Sequence, residues 1–316
     1  MNYKLAFDAL KATEVAALSV WNKIGMKDED SADQIAVKAM RSFLRKVNIK
    51  GKVVIGEGER DNAPMLHIGE NIGTGKGETI DIAVDPIEGT KMVANNGPGG
   101  LSVIVFAEKG NLLHAPDVYM NKIAVGFNCP EKNNIINIED DPITNLKRIA
   151  TVQKKALEDL TVCVLNRSRH INLIKKIRES NAKICLIDDG DVSAIIETTQ
   201  KSSKIDVYMG IGGAPEGVIG AAALQCLGGS MQGKLVFRDE DEKKRAKDAG
   251  IDNFDKVYST KELAKGDIVF AATGITDGTI LKGIRINDKK IETNSLLMCS
   301  STKETRHLKT EHIKKQ

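Results

Sequence analysis

The sequence predicts a mixed α/β protein, α+β in its first half and α/β in its second. Three observations predict it. Apolar residues recur at helical spacing over the opening residues, strand-like stretches then come in adjacent pairs, and beyond about residue 145 strands alternate with helices. Alternation of that kind implies parallel strands joined by crossover helices. The change near 145 sets an expected division into 1–145 and 146–316, and 316 residues are ample for two cores.

Leu5, Ala9, Leu10, Ala16, Ala17, Val20, Trp21 and Ile24 mark the first helix, with Gly25 as its stop. Ser31 reads as the cap of the next, with Gln34 as capping-box partner; Ile35, Ala36, Ala39, Met40, Phe43, Leu44 and Val47 form its buried stripe. Lys52 to Ile55 is a short strand that enters the acidic loop Gly56-Glu57-Gly58-Glu59-Arg60-Asp61. Gly73-Thr74-Gly75-Lys76-Gly77 has the look of a phosphate loop, but Gly77 stands where a Walker A loop needs Ser or Thr, so it reads as a turn. Ile80, Ile82 and Val84 alternate with Asp81 and Ala83 in a strand expected to stop at Asp85, because Pro86 has no amide hydrogen to donate. Leu101 to Glu108 is expected to form a hairpin with Leu112 to Ala115.

In the second half, strands are expected at Thr161 to Asn166, Lys183 to Ile187 and Val207 to Ile211. Helices follow at His170 to Ser180, Val192 to Thr199 and about Glu216 to Leu227. In such sheets ligands gather at the carboxyl ends of the strands. Those ends carry Arg167 and Arg169, then Asp188-Asp189-Gly190-Asp191, then Gly212-Gly213-Ala214-Pro215-Glu216. Asp239 to Lys247 reads as a solvated helix, Asp267 to Ala272 as a strand and Lys303 to Gln316 as a basic tail.

Composition excludes several classes. With 46 basic against 43 acidic side chains the net charge is +3, which leaves no footprint for nucleic acid. Aromatic residues at 4% are too few for base-stacking platforms. No apolar run reaches a membrane span and no signal-peptide pattern opens the chain, so the expected location is the cytoplasm. The five cysteines form no Cys-x-x-Cys pair and the five histidines no metal spacing, so a zinc site is not expected.

What remains is acid. Asp33, Glu57, Asp61, Asp85, Glu88 and Glu216 end strands or start helices, most beside glycine. All-oxygen ligands without histidine or cysteine point to hard cations, Mn²⁺ or Mg²⁺. Carboxylates holding two or more divalent ions serve phosphoryl transfer. Thr90 can position an attacking water, and the Gly89 and Thr90 amides can meet phosphate oxygens. Arg167 and Arg169 can clamp a second phosphate, Asp189 and Asp191 can accept from sugar hydroxyls, and Tyr119 can do either.

Val84-Asp85-Pro86-Ile87-Glu88-Gly89-Thr90 resembles the Asp-Pro-hydrophobic-acidic-Gly-Thr motif of the metal-dependent sugar and inositol phosphatases. The segments around it resemble class II fructose-1,6-bisphosphatase: 55–59 with 61–66, Ala115-Pro116-Asp117-Val118-Tyr119-Met120, Asp189-Gly190-Asp191-Val192, 210–217 and Ala272-Thr273-Gly274-Ile275-Thr276. The resemblance implies an αβαβα layered fold and removal of the 1-phosphate of fructose 1,6-bisphosphate in gluconeogenesis. By motif position Asp33 and Glu57 would hold one metal, and Asp85, Glu88 and Glu216 another. Thr90 would orient the water, with Asp61 assisting. Substrate would meet Glu88, Gly89, Thr90, Tyr119, Arg167, Ser168, Arg169, Asp189, Gly190, Asp191 and Gly213. A homo-oligomer, dimer or tetramer, is expected.

The chain departs from the family at Gly25-Met26-Lys27-Asp28-Glu29, where relatives often read Gly-Arg-Gly-Asp-Lys, at Asn62, which replaces a frequent acid, and at Arg167, often lysine. Two alternatives stand beside the main reading, the first because some of the family take both substrates, the second because of the altered loop. One is a bisphosphatase that also takes sedoheptulose 1,7-bisphosphate. The other is a non-catalytic, metal-dependent sugar-phosphate binder.

Overall fold

The computed structural model describes residues 3–58, 65–126 and 135–313. The chain divides into two compact units, Met1–Leu112 with Gly266–Gln316, and Leu113–Lys265. The first opens with helices α1 (Tyr3–Ser19) and α2 (Glu29–Leu44), then strands β1 (Ile49–Ile55), β2 (Asn71–Ile72) and β3 (Glu78–Glu88), the short helix α3 (Thr90–Ala94) and strand β4 (Leu101–Glu108). The cap of α2 is Asp28, not Ser31: the Asp28 carboxylate accepts from the Ser31 amide, at 3.2 Å. The helix begins three residues earlier than a cap at Ser31 would give, because a carboxylate at the cap meets both the free amides and the positive helix end.

The second unit carries β5 (Tyr119–Val125), α4 (Pro142–Gln153), β6 (Thr161–Leu165), α5 (Ile171–Glu179), β7 (Lys183–Ile187), α6 (Asp191–Glu197), β8 (Val207–Gly213) and α7 (Ala214–Leu227). It closes with β9 (Ser230–Val236), α8 (Glu240–Asp248), β10 (Val257–Ser259) and α9 (Thr260–Leu263). Its six strands lie in the order β10-β9-β5-β8-β6-β7. As the alternation implied, β7, β6 and β8 run parallel. Antiparallel β5 pairs with both β8 and β9, so a boundary near 145 would part it from its neighbours. Ile123, Leu146, Ile149, Val162, Val164 and Ile177 close the core on the side of α4 and α5. The α8 surface is largely exposed as expected, except that Glu242 is buried and accepts from Arg238 at 2.6 Å.

The chain then returns to the first unit with β11 (Ile268–Gly274), β12 (Arg285–Ile286), β13 (Lys290–Cys299) and β14 (Glu304–Ile313). The sheet order is β12-β13-β11-β4-β3-β1-β2, with β14 added to β13. The stretch read as a basic tail is therefore a strand, paired with β13 from Lys290↔Ile313 to Cys299↔Glu304. The expected hairpin after β4 does not form, since β3 and β11 occupy both of its edges. The Leu113 amide donates to the Leu263 carbonyl instead, at 2.9 Å. Leu5, Ala9, Ala16 and Val20 of α1 share a core with Ala36 and Met40 of α2 and with Ile82, Phe106 and Val269 of the sheet. Among the described residues Cys163, Cys185, Cys226 and Cys299 are free, and no helix is long and apolar enough to cross a membrane.

The α2 cap gives a direct test. Asp28→Ala should lower the melting temperature by roughly 2 °C, and Ser31→Ala, which keeps the capping carboxylate, by clearly less. Equal shifts in a thermal scan would return the cap to Ser31.

Candidate metal centre and phosphate site

The two carboxylates of the Asp-Pro-Ile-Glu turn meet through a fault in strand register. β3 does not stop at Asp85; it continues through Pro86 to Glu88. Asp85 pairs with Val103 and Glu88 with Leu101, three residues on β3 against two on β4. One extra residue in a strand is a β-bulge, and a bulge is one of the few places where a sheet tolerates proline. In a regular strand residues three apart face opposite sides. The added residue turns Glu88 onto the face of Asp85, and carboxylate oxygens of the two lie within 4.8 Å. Ile87 locks the bend: its amide donates to Asp85 Oδ1 at 3.1 Å, and its carbonyl accepts from Thr90 Oγ1 at 3.0 Å. Gly89 caps α3 at φ 82°, a left-handed conformation that side chains other than glycine's adopt only with strain.

A second carboxylate pair stands on the neighbouring strand. β1 and β3 are parallel, and Ile55 pairs with Ala83, so Glu57 and Asp85 each lie two residues beyond partnered positions at the same end of the sheet. The Glu57 side chain is hydrogen-bonded to Asp33 of α2. Burial and the Asp33 charge push the Glu57 carboxyl up to about 8; burial raises Asp33 as well, and nearby Asp30 adds to it. Two half-buried carboxyls in contact favour sharing a proton or a cation. The donor set is entirely oxygen, so it fits a hard divalent ion. Asp61 lies outside the described residues.

The loop before α2 is tied to α3. The Gly25 amide donates to the Val93 carbonyl at 3.0 Å and the Lys27 amide to Ala94 at 2.8 Å. Lys27 is exposed and takes φ 58°. Lys23 pairs with Asp28 at 3.4 Å, so its charge is already engaged.

In the second unit the three parallel strands bring their predicted groups together. Asn166, after β6, donates to Asp188, after β7, at 3.2 Å. Arg169 donates through Nε to the Ile211 carbonyl of β8 at 2.9 Å, and its guanidinium lies 4.7 Å from the centre of the Tyr119 ring. Arg167 is half-buried, and its guanidinium donates through Nη1 to the Asn166 carbonyl at 3.2 Å. Ser168 opens the short 3₁₀ turn to His170. His170, to which the sequence assigned no role, is buried and neutral: Nδ1 lies 2.7 Å from the Leu165 carbonyl and Nε2 accepts from the Ile211 amide at 2.7 Å. Gly190 caps α6 at φ 94°, and its amide donates to Asp189 Oδ1 at 3.1 Å.

Two cations were missed. Arg238 lies 5.2 Å from the Tyr119 ring, making with Arg169 a pair of guanidiniums around one phenol. Lys122 of β5 is only 1% exposed, is paired with Asp191, and donates to the Gly213 carbonyl at 2.9 Å. The signal for Lys122 was present: it alternates with Met120 and Ala124 on a buried strand face. Asp191, expected to face sugar hydroxyls, is buried with this lysine as its partner. Glu216, in the first turn of α7, has its carboxyl raised by burial, against the opposing pull of Lys122. Its Oε2 is buried with no hydrogen-bond partner, which fits a ligand awaiting a cation.

Paired carboxylates at strand ends, an Asp-Pro-Ile-Glu-Gly-Thr turn and an arginine-flanked tyrosine are the equipment of a metal-dependent phosphatase. Residues 3–312 match the family described as bacterial fructose-1,6-bisphosphatase, glpX-encoded, and the chain belongs to it. These class II enzymes hydrolyse a phosphoric monoester. The chain is similar to proteins named D-fructose 1,6-bisphosphatase class 2/sedoheptulose 1,7-bisphosphatase. One from Synechococcus sp. (strain JA-2-3B'a(2-13)) is 41% identical, covering 99% of this chain and 97% of its own. One from Prochlorococcus marinus (strain MIT 9515) is 42% identical, covering 99% and 98%.

The Asp33–Glu57 contact predicts a pH dependence for the metal-free protein. Glu57 rises from its ordinary 4.5 to about 8, so the folded state holds a proton that the unfolded chain releases. Stability in chelator should therefore fall as pH rises from about 4.5 to about 8. Glu57→Gln should flatten that slope in thermal scans. An unchanged slope in Glu57→Gln would show that the carboxyls do not share a proton.

Proposed function

We propose that the protein removes the 1-phosphate of fructose 1,6-bisphosphate with Mn²⁺ or Mg²⁺ held by Asp33, Glu57, Asp85, Glu88 and Glu216. The observation that carries this reading is the register of β3. Its bulge pairs Asp85 with Glu88 beside the strand end that bears Glu57. Divalent ions bound by such carboxylates neutralise phosphate charge and make an attacking water acidic at neutral pH. Thr90 has its hydroxyl proton committed to Ile87, so its oxygen is an acceptor able to aim a water at phosphorus. Water attacks, the bond from phosphorus to the sugar oxygen breaks, and that oxygen leaves with a proton as fructose 6-phosphate. Asp61 assists the water. The Gly89 and Thr90 amides meet the reacting phosphate, and Tyr119, Arg167, Ser168 and Arg169 hold the remote one. Asp189 to Asp191 and Gly213 line the sugar.

The names of the relatives favour a second activity on sedoheptulose 1,7-bisphosphate. One more carbon in the sugar leaves both phosphates for the same clamps. A phosphate-release panel over fructose 1,6-bisphosphate, sedoheptulose 1,7-bisphosphate and inositol phosphate separates the readings. Turnover of the first two is expected, lost in chelator and restored by Mn²⁺ or Mg²⁺. Full activity in excess chelator, with metal content checked, would end the metal mechanism.

Two substitutions probe the residues. Thr90→Val should lower kcat by about 10²-fold or more with little change in KM, while Thr90→Ser, which keeps the hydroxyl, should retain most activity. Thr90→Val within about twofold of the parent would reduce Thr90 to a helix-start residue. In the altered loop Lys27 is the base left without a described ion pair, and we assign it the charge that relatives place nearby. Lys27→Ala should lower kcat/KM about tenfold and Glu29→Ala much less. A silent Lys27→Ala, with Glu29→Lys raising activity severalfold, would reverse the assignment.

A further inference from the structure

Lys122 stands out in the second unit as a fully buried cation that the reaction scheme does not use. Its side chain reaches from the middle of β5 to two different loops. It pairs with Asp191 at the start of α6 and donates to the carbonyl of Gly213, the residue that caps α7. Its ring neighbour is buried Tyr208, 5.8 Å away. Space around it is exhausted. A methyl on Gly212 would fall on Asp191 Oδ2 and crowd Lys122 Nζ, and one on Gly213 would fall on Glu216 Oε2. A methyl on Gly217, one residue beyond Glu216, would press on the Lys122 stem and on Met120. The glycines of 210–217 therefore make room for a charged cluster as well as for any ligand.

We propose that Lys122 is a positioning residue that joins the 189–191 loop to the start of α7 and so fixes the carboxylate of Glu216 for the cation. Three features carry this. Burial denies Lys122 any solvent partner, so its charge must be answered within the cluster. Asp191 answers it, and two acids compete for one lysine: Asp191 holds the pair and Glu216 keeps a free Oε2. The bond to the Gly213 carbonyl then sets the angle at which the first turn of α7, and Glu216 with it, leaves the strand. Asp191 acts on Glu216 in this scheme through Lys122, besides lining the sugar. Outer partners that orient a ligating carboxylate in this way govern affinity for the ion itself.

The inference rests on Glu216 as a ligand, so the experiment carries Glu216→Gln as a control. Lys122→Met, Asp191→Asn and Glu216→Gln are purified as full-length protein and checked for folding by circular dichroism and thermal melting. Mn²⁺ affinity is then measured by isothermal titration without substrate, followed by kcat and KM. Asp191→Asn leaves the lysine charge to fall on Glu216, and Lys122→Met leaves two buried acids facing each other unrelieved. Both should weaken Mn²⁺ binding about tenfold or more and lower kcat by a similar factor. If Asp191 served only a sugar hydroxyl, Asp191→Asn would raise KM and leave Mn²⁺ affinity intact, which would overturn the proposal. Should Lys122→Met fail to fold, Asp191→Asn decides alone. If Glu216→Gln weakens Mn²⁺ binding and the other two do not, the tie is wrong and the ligand assignment stands. If Glu216→Gln leaves Mn²⁺ binding unchanged, both fall.

Discussion

Carboxylates withdrawn from water need a positive charge or a proton beside them, and each unit of this protein answers that need differently. In the first, Asp33 and Glu57 touch without a fixed cation, and Glu57 holds a proton to about pH 8. In the second, Asp191 pairs with a built-in ammonium, Lys122, whose pull also reaches Glu216. A shared proton or an exchangeable ion leaves such a pair free to rearrange. A lysine suits the place that must hold shape, because it cannot leave. The family's acidic cluster is therefore only half described by counting acids.

Backbone geometry sets the rest. Asp85 and Glu88 would face away from one another in a regular strand, and a single inserted residue reverses this. Pro86 enforces the fault, Ile87 bonds it at both faces, and Gly89 releases the chain into α3. The cost of the irregular segment is offset by the sheet on either side, where β1 and β4 hold β3 in register.

Much of this was legible in the residues. The parallel order at β6, β7 and β8 followed from alternation, and the acidic strand ends announced themselves beside glycine. Errors arose where distant chain decides. β4 offers no edge for 112–115 because β11, more than a hundred residues later, takes it. The division near 145 missed the return of 266–316 to the first unit for the same reason. At α2 a local competition was misjudged: Ser31 and Asp28 both suit a cap, and the carboxylate won. Lys122 was passed over because lysine in a strand ordinarily marks a solvated face, and only the buried register of β5 shows otherwise.

The second unit is one continuous stretch, 113–265, set within a first unit whose sheet is split around it. During synthesis β4 leaves the ribosome with β3 on one side and nothing on the other. Its second neighbour, β11, is translated only after the whole intervening unit. Units of a chain generally fold as they emerge. The 113–265 unit can therefore be complete while the sheet that carries Asp85 and Glu88 still has an open edge. The carboxylate pair of the β3 bulge therefore sits in a closed sheet only once β11 has been made.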